Sequence, residues 1–154
     1  MTLEAGDQAP DFSLAASGGR SVSLAAMQGK PFVLYFYPKA DTPGCTREAC
    51  AFQEALPEIA KLGLEVIGVS RDPMPSVDAF AKKYGLHFPL ASDSSGEATR
   101  AYGTWIEKSM YGRQYMGIER ATFLIDRAGR IAHVWHKVKV NGHAAEVARE
   151  AARL

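Results

Sequence analysis

The chain has 154 residues, of which 47% are hydrophobic and 23% are charged, which is ordinary for one soluble domain, residues 1–154, with a full-sized core. Its formal net charge of +1 gives no reason to expect nucleic acid or an anionic membrane as a partner. The N-terminus lacks the basic and apolar regions of a secretory signal, and no apolar run approaches membrane-spanning length, so we expect a cytoplasmic protein.

The first predicted elements are a hairpin and a buried strand. Residues 11–14 and 21–24 alternate polar and apolar side chains on either side of Gly18-Gly19, which predicts two antiparallel strands. Residues 32–37 are nearly all apolar, as expected of a central strand that is covered on both faces.

A helix is predicted to follow this strand, from about Cys45 to Leu62. One face should be buried, because apolar residues recur at helical spacing, namely Phe52, Leu56, Ile59 and Ala60. Pro57 lies inside the span. Since proline removes a helical hydrogen bond and crowds the preceding turn, we expect a kink or break there.

The second half of the chain alternates strands and helices. We predict a strand over 64–70, a helix with Ser76 as its N-cap that ends at Gly85, a short strand over 88–90 and a short helix over 96–102. A second hairpin, 121–126 with 129–135, and a helix over 142–154 complete the chain. This order predicts an α/β fold with a mixed central sheet flanked by helices and an N-terminal hairpin.

Cys45 and Cys50, the only two cysteines, lie where the central strand gives way to the first helix. The preceding Thr-Pro-Gly places Cys45 at the helix start, where unpaired N–H groups and the helix dipole favour a thiolate. A second thiol nearby can then react with an oxidised first one. In a reducing compartment a lone cysteine pair is more often redox-active than structural, so we interpret this pair as redox-active. Two buried structural cysteines are the alternative.

The residues around the cysteines match a known signature. Pro38, Thr42 and Cys45 have the spacing Pro-x-x-x-Thr-x-x-Cys of peroxiredoxins. The longer string over 35–50 resembles the Q-type peroxiredoxins, also called bacterioferritin comigratory proteins. The similarity continues through three further segments, 6–14, 103–109 and 117–126, and therefore covers essentially the whole chain.

This resemblance implies a thioredoxin-like fold and an antioxidant enzyme that reduces hydrogen peroxide or organic hydroperoxides. Cys45 corresponds to the peroxidatic cysteine, and Cys50 corresponds to the resolving cysteine of the subgroup with this spacing. Pro38, Thr42 and Arg120 match the remaining active-site positions.

Thiolate supply alone does not explain peroxide reduction. A thiol with an ordinary pKa of about 8.5 is about 3% thiolate at pH 7, so nearly complete ionisation gains only about thirtyfold. The larger share of the rate enhancement should come from donors fixed around the peroxide oxygens. Arg120 suits this role, because its guanidinium is always charged and offers several donors in one plane. A solvated surface arginine is the alternative.

Four further residues are expected to bind the substrate or shape the pocket. Thr42 carries a hydroxyl that can donate and accept, although it can also simply cap the helix. The backbone N–H of Gly44 can point at a bound oxygen. Glu48 either orients Arg120 or faces solvent. Pro38 has no N–H and a fixed φ, so it shapes and dries the pocket or only ends the strand.

We therefore predict a thiol peroxidase that uses no metal, haem or flavin. Cys45 attacks the hydroperoxide and becomes a sulfenic acid, and Cys50 condenses with it to an intramolecular disulfide. Thioredoxin or a similar dithiol then reduces that disulfide. The resemblance favours a monomer. Two alternatives use the same switch: a redox sensor or holdase, and a thiol–disulfide oxidoreductase, which the cysteine spacing and Arg120 argue against.

Overall fold

The computed structural model describes residues 2–154, in which strands and helices alternate for most of the chain. Their bounds are β1 Ser13–Ala16, β2 Arg20–Ser23, β3 Phe32–Phe36, α1 Pro43–Lys61, β4 Glu65–Ser70, α2 Met74–Tyr84, β5 Leu90–Ser92, α3 Glu97–Ala101, β6 Trp105–Met110, β7 Arg113–Ile118, β8 Ala121–Ile125, β9 Ile131–Trp135 and α4 His143–Ala151.

A seven-stranded mixed sheet, in the order β2-β1-β5-β4-β3-β8-β9, forms the centre of the molecule, and β6 and β7 form a separate two-stranded sheet. Strands β3, β4 and β5 run parallel to one another, whereas β8 pairs antiparallel with β3. Every residue of β3 is buried, which explains its continuous apolar sequence. The predicted mixed sheet and both predicted hairpins are confirmed.

The core has two layers, because successive residues of the central strands point to opposite faces of the sheet. On one face, α1, α2 and α4 cover a cluster that includes Val33, Tyr35, Val66, Leu90 and Leu124. On the other face, α3, the N-terminal segment and the β6–β7 hairpin cover a cluster that includes Phe32, Leu34, Phe36, Ile67 and Phe123.

Of the predicted kink or break at Pro57, the break is wrong, because helix α1 continues through Pro57 to Lys61. Pro57 is exposed, and the carbonyl that loses its helical partner can be hydrated instead. The buried face is also narrower than predicted, because Phe52 and Ile59 are buried but Ala60 is exposed.

Other boundaries also differ from the sequence prediction, since β1 begins at Ser13 and α4 ends at Ala151. Helix α2 begins at Met74 rather than after Ser76, with Pro75 in its first turn, where a missing N–H costs no helical hydrogen bond. The strand predicted over 88–90 begins at Leu90, because Pro89 cannot donate to the ladder. The hairpin formed by β6 and β7 was not predicted. None of the helices in residues 2–154 is long and apolar enough to cross a membrane.

Candidate active site

Sheet topology brings Arg120 to Cys45 across 75 positions of sequence. Because β8 runs antiparallel to β3, Ala121 at the start of β8 pairs with Phe36 at the end of β3. The residue before Ala121 therefore lies beside the point where the chain leaves β3 and enters α1. The guanidinium of Arg120 donates a hydrogen bond from Nη2 to the Cys45 sulfur at 3.4 Å.

Three side chains form the centre of the site. Arg120 also donates from Nη1 to Glu48 Oε1 at 2.7 Å, so one guanidinium contacts both the sulfur and a carboxylate. Cys45 and Glu48 are each 1% exposed, whereas the Arg120 side chain is 17% exposed. Of the two alternatives for Glu48, orientation of Arg120 is therefore the one present, and a solvent-facing position is excluded.

The start of α1 is shaped to admit this guanidinium. A methyl group on Gly44 would lie 3.1 Å from Arg120 Nη2, so a side chain at this position would push the arginine away from the sulfur. Within residues 2–154 the first helical bond of α1 is donated by the Thr46 N–H to the Thr42 carbonyl. The N–H groups of Gly44 and Cys45 precede it and remain available to an oxygen ligand.

Thr42 and Pro38 occupy the loop between β3 and α1. Thr42 is the N-cap residue by backbone position, but its hydroxyl makes no capping bond and instead donates to the Lys39 carbonyl at 2.7 Å. Its oxygen can therefore accept a hydrogen bond from a bound hydroperoxide. Pro38 is partly exposed and follows Tyr37, whose N–H still donates to the sheet at Val69. Pro38 thus lies where the chain departs from the sheet.

Burial raises the pKa of Glu48 to about 7, and the attraction of Arg120 only partly opposes this effect. The second carboxylate oxygen of Glu48 is buried and makes no hydrogen bond within the described residues. The hydroxyls of Tyr35 and Tyr37, in the same helix-covered layer of the core, are also buried without a hydrogen-bond partner among the described residues. A charge on Glu48 is thus costly despite its ion pair.

A second buried polar pair, which the sequence did not reveal, links β8 to α4. Thr122 Oγ1 and His143 Nε2 are 2.8 Å apart, and the His143 ring packs edge-on against Phe52 and Trp135. Burial lowers the pKa of His143 to about 4, so the imidazole is neutral near pH 7. Across residues 2–154, no three His, Cys, Asp or Glu side chains are grouped closely enough to hold a metal ion.

We expect Glu48 and His143 to give opposite pH dependences of stability. The Glu48 pKa, about 7 in the folded state, exceeds the unfolded value of about 4.3, so its contribution to the free energy of unfolding falls as pH rises between them. The His143 pKa, about 4 when folded, lies below the unfolded value of about 6.5, so its contribution rises with pH. Each slope has an upper limit of about 1.4 kcal/mol per pH unit.

Urea unfolding of the reduced protein across this pH range measures both effects. The stability difference between wild type and Glu48→Gln should shrink or reverse as pH rises, and the difference between wild type and His143→Gln should grow. The free energy of unfolding of each variant has to be subtracted from that of wild type. In the wild-type protein the opposite pH dependences from Glu48 and His143 largely cancel. Parallel curves for wild type and Glu48→Gln would contradict the raised pKa.

Cys50 lies on α1, five residues after Cys45, and both cysteines are free thiols. Cys50 is partly buried. In a regular helix, five residues rise about 7.5 Å and turn by about 140°, which places the two Cα atoms about 8.7 Å apart. A disulfide needs Cα atoms within about 7 Å, so these two thiols cannot join while this part of α1 remains helical.

Comparison with known proteins places these features in a family. Residues 5–134 match the family model described as AhpC/TSA family. The peroxiredoxin Bcp of Bacillus subtilis is 46% identical over 146 residues, which cover 95% of this chain and 93% of that protein. Peroxiredoxin Q of Xanthomonas campestris has a solved structure that superposes with a TM-score of 0.90 at 44% identity, covering 97% of both chains.

Another solved structure is that of the bacterioferritin comigratory protein of Xanthomonas campestris, described for its alkyl peroxide reduction activity. It has a TM-score of 0.90 and 44% identity, and the match covers 96% of this chain and 97% of that one.

Proposed function

Because the chain belongs to the AhpC/TSA family and has the thioredoxin-like fold of Bcp and Q-type peroxiredoxins, it is a thiol peroxidase, and we propose that Cys45 is the sulfur that attacks the peroxide. The observation that carries this proposal is the hydrogen bond from Arg120 to Cys45 at 3.4 Å. The guanidinium that contacts this sulfur is always charged and offers several donors in one plane, so it lies where it can also donate to the oxygens of the substrate.

The attack is a displacement at oxygen. The Cys45 thiolate donates an electron pair to the OH oxygen of R–O–O–H and the O–O bond breaks. The sulfur becomes the sulfenic acid S–OH, and the RO oxygen leaves with the bonding pair and takes up a proton to give ROH. Negative charge moves from sulfur to oxygen as the bond breaks. Arg120 can bind both atoms without moving, so its stabilising effect follows the charge. The Gly44 N–H and the Thr42 oxygen complete the binding of the hydroperoxide.

Resolution requires α1 to unwind. The sulfenic acid on Cys45 condenses with the Cys50 thiol, which forms a disulfide and releases water. Since the helical geometry separates the two cysteines, the residues that precede Cys50 must leave the helix first. An unwound, exposed disulfide is accessible to a dithiol reductant, and thioredoxin is the reductant that we propose.

The enzyme takes a peroxide as substrate and a thiol as reductant. We propose that both hydrogen peroxide and organic hydroperoxides are reduced, and the alkyl peroxide activity of the Xanthomonas campestris relative supports the second class. We further propose a cytoplasmic monomer, in which a reducing environment returns the disulfide to two thiols.

The test is peroxide-dependent oxidation of NADPH in an assay coupled through thioredoxin reductase and thioredoxin, with hydrogen peroxide and an alkyl hydroperoxide as parallel substrates. Turnover with both substrates is expected. If another dithiol supported turnover and thioredoxin did not, that dithiol would be the reductant and the proposal of thioredoxin would be wrong. Reduction of protein disulfides in the absence of peroxide would favour the thiol–disulfide oxidoreductase instead.

We expect the disulfide form to be less stable than the reduced form. Closing so short a loop constrains the unfolded chain by only about 2 kcal/mol in the entropic description. The unwound helix loses hydrogen bonds and the packing of side chains such as Phe52, and full exposure costs about 1.5–3 kcal/mol for each large apolar side chain. The losses therefore exceed the gain, and the oxidised protein should melt at a lower temperature.

Thermal melts of both redox forms, with amide exchange over residues 42–56, measure this difference. The control is the Cys50→Ser variant, oxidised and then freed of oxidant in the same way. It cannot form the intramolecular disulfide. A higher melting temperature for the oxidised form, with unchanged protection over 42–56, would contradict unwinding.

A further inference from the structure

The loop that joins β3 to α1 is fastened to the rest of the molecule just before the proposed nucleophile. The Ala40 N–H donates to Asp72 Oδ2 at 2.7 Å. Asp41 reaches across to the last turn of α2, where its carboxylate accepts from the Tyr84 hydroxyl at 2.6 Å and from Lys83 Nζ at 2.9 Å. The two contacts of Asp41 join residues that are 42 and 43 positions apart in sequence.

The backbone at Asp41 is held in a costly conformation. Its φ is +60°, in the left-handed region, which only two other non-glycine residues of the described chain, Tyr111 and Lys137, occupy. Aspartate tolerates this region better than most residues, but the surrounding contacts still have to maintain it. The carboxylate contacts to α2 supply such a constraint, because they fix the side chain of the same residue whose backbone is turned.

The other side of the contact is itself well ordered by packing. The Tyr84 ring packs edge-on against the buried Phe80 with centroids 5.5 Å apart, and Lys83 Nζ lies 5.3 Å from the centroid of the Tyr84 ring. Asp41, Lys83 and Tyr84 therefore touch one another in all three pairings. We call this group the latch.

We infer that the latch, Asp41 with Lys83 and Tyr84, holds the start of α1 in the helical, peroxide-reactive arrangement and thereby sets how fast the oxidised Cys45 reaches Cys50. This inference rests on the proposed disulfide mechanism. Only three residues separate Asp41 from Cys45, so a fixed Asp41 restricts where an unwound Cys45 can go. Release of the carboxylate frees the loop to follow the unwinding helix. Asp41 is thus a positioning residue that acts through the loop.

The latch governs a choice between two fates of the sulfenic acid. With the Cys50 thiol, Cys45–SOH gives the disulfide and water. With a second hydroperoxide, Cys45–SOH gives the sulfinic acid and an alcohol, or water when the substrate is hydrogen peroxide. The first route needs an unwound α1 and the second needs a folded site. A tighter latch therefore favours sulfinic acid, and a looser latch favours the disulfide.

The experiment measures this partition by intact mass after a fixed excess of hydrogen peroxide, in wild type, Tyr84→Phe, Asp41→Asn and Lys82→Met. Tyr84→Phe keeps the aromatic packing and removes one donor, and Asp41→Asn keeps a residue that tolerates positive φ and removes the charge. We expect the ratio of sulfinic acid to disulfide to fall about fivefold in both variants, as for the loss of one ordinary hydrogen bond. Lys82→Met, at an exposed neighbour on α2, should match wild type.

Stopped-flow rates separate this effect from general damage to the fold. We expect disulfide formation to accelerate about fivefold in Tyr84→Phe and Asp41→Asn, in proportion to the lost hydrogen bond, while the initial attack slows or stays the same. A contact that only stabilises α2 would leave the rate of disulfide formation unchanged. An unchanged partition in both latch variants, with the wild-type disulfide present, would overturn the latch alone. A wild type that forms no disulfide would overturn the proposed function and the latch with it.

Discussion

Replacement of Cys45 by serine is expected to abolish peroxide consumption, whereas Cys50→Ser should consume peroxide once and then recycle poorly. A serine hydroxyl at position 45 is not ionised near neutral pH and cannot attack the O–O bond at a useful rate. Without Cys50 the attack still occurs, because the hydrogen bond from Arg120 reaches Cys45 and not Cys50. The sulfenic acid then has no internal partner.

Intact mass and a sulfenic-acid trap after one equivalent of hydrogen peroxide measure these two outcomes. Wild type should lose two hydrogens per chain, Cys50→Ser should gain one oxygen and Cys45→Ser should be unchanged. Serine is similar in size to cysteine. Cys50→Ser is therefore the matched control for any effect that the cysteine-to-serine change in Cys45→Ser has on folding. If Cys45→Ser instead gained one oxygen per chain while Cys50→Ser did not react, the roles of the two cysteines would be reversed.

The elements that could be predicted from sequence are those whose burial or ends impose a recognisable pattern of residue types. Strand β3 is covered on both faces and reads as an unbroken apolar run, and α2 ends at Gly85, which adopts a left-handed φ of +62°. The β6–β7 hairpin leaves no such pattern, because most of its residues are exposed or partly exposed. Its turn also places Tyr111 at a φ of +51° beside Gly112, where asparagine or aspartate is the usual signal.

Some features of the candidate site could likewise be predicted from sequence, and others could not. The residues near Cys45 in sequence, together with Arg120, could be proposed from the resemblance to peroxiredoxin motifs. Distances and burial could not be predicted in this way, and they decide whether Glu48 orients Arg120 or faces solvent. The 2.7 Å distance from its carboxylate to Arg120 and its 1% exposure follow only from the packing of α1 on the sheet. The contact of Asp41 with α2 is equally invisible in sequence, because the two partners lie more than 40 residues away.

Arg120→Met should slow peroxide attack by about two orders of magnitude or more, the size of effect seen when a fixed donor to a developing oxyanion is removed. Relative to an ordinary thiol, full ionisation is worth only about thirtyfold at pH 7, so most of the expected loss is assigned to the transition state and is tested where both proteins are fully ionised. Methionine keeps an unbranched stem of similar length but offers no donor to the sulfur or to the departing oxygen. The loss should appear in the rate of attack, and not in the rate at which the disulfide forms.

The substitution also removes the 2.7 Å partner of the buried Glu48, and without this guanidinium the pKa of Glu48 rises further, so an unpaired carboxylate charge develops only above neutral pH. The double variant Arg120→Met with Glu48→Gln removes that carboxylate charge, so it separates lost catalysis from damage caused by an unpaired charge. Above neutral pH, where Glu48 would otherwise ionise without a partner, we expect the double variant to be more stable than Arg120→Met without recovering the rate. The decisive comparison is the attack rate at a pH where ultraviolet absorbance shows a full thiolate in both wild type and Arg120→Met. Equal rates there would leave Arg120 with a role in ionising the thiol and none in breaking the O–O bond, whereas a remaining difference of about a hundredfold measures how much more tightly this guanidinium binds the transition state than the ground state.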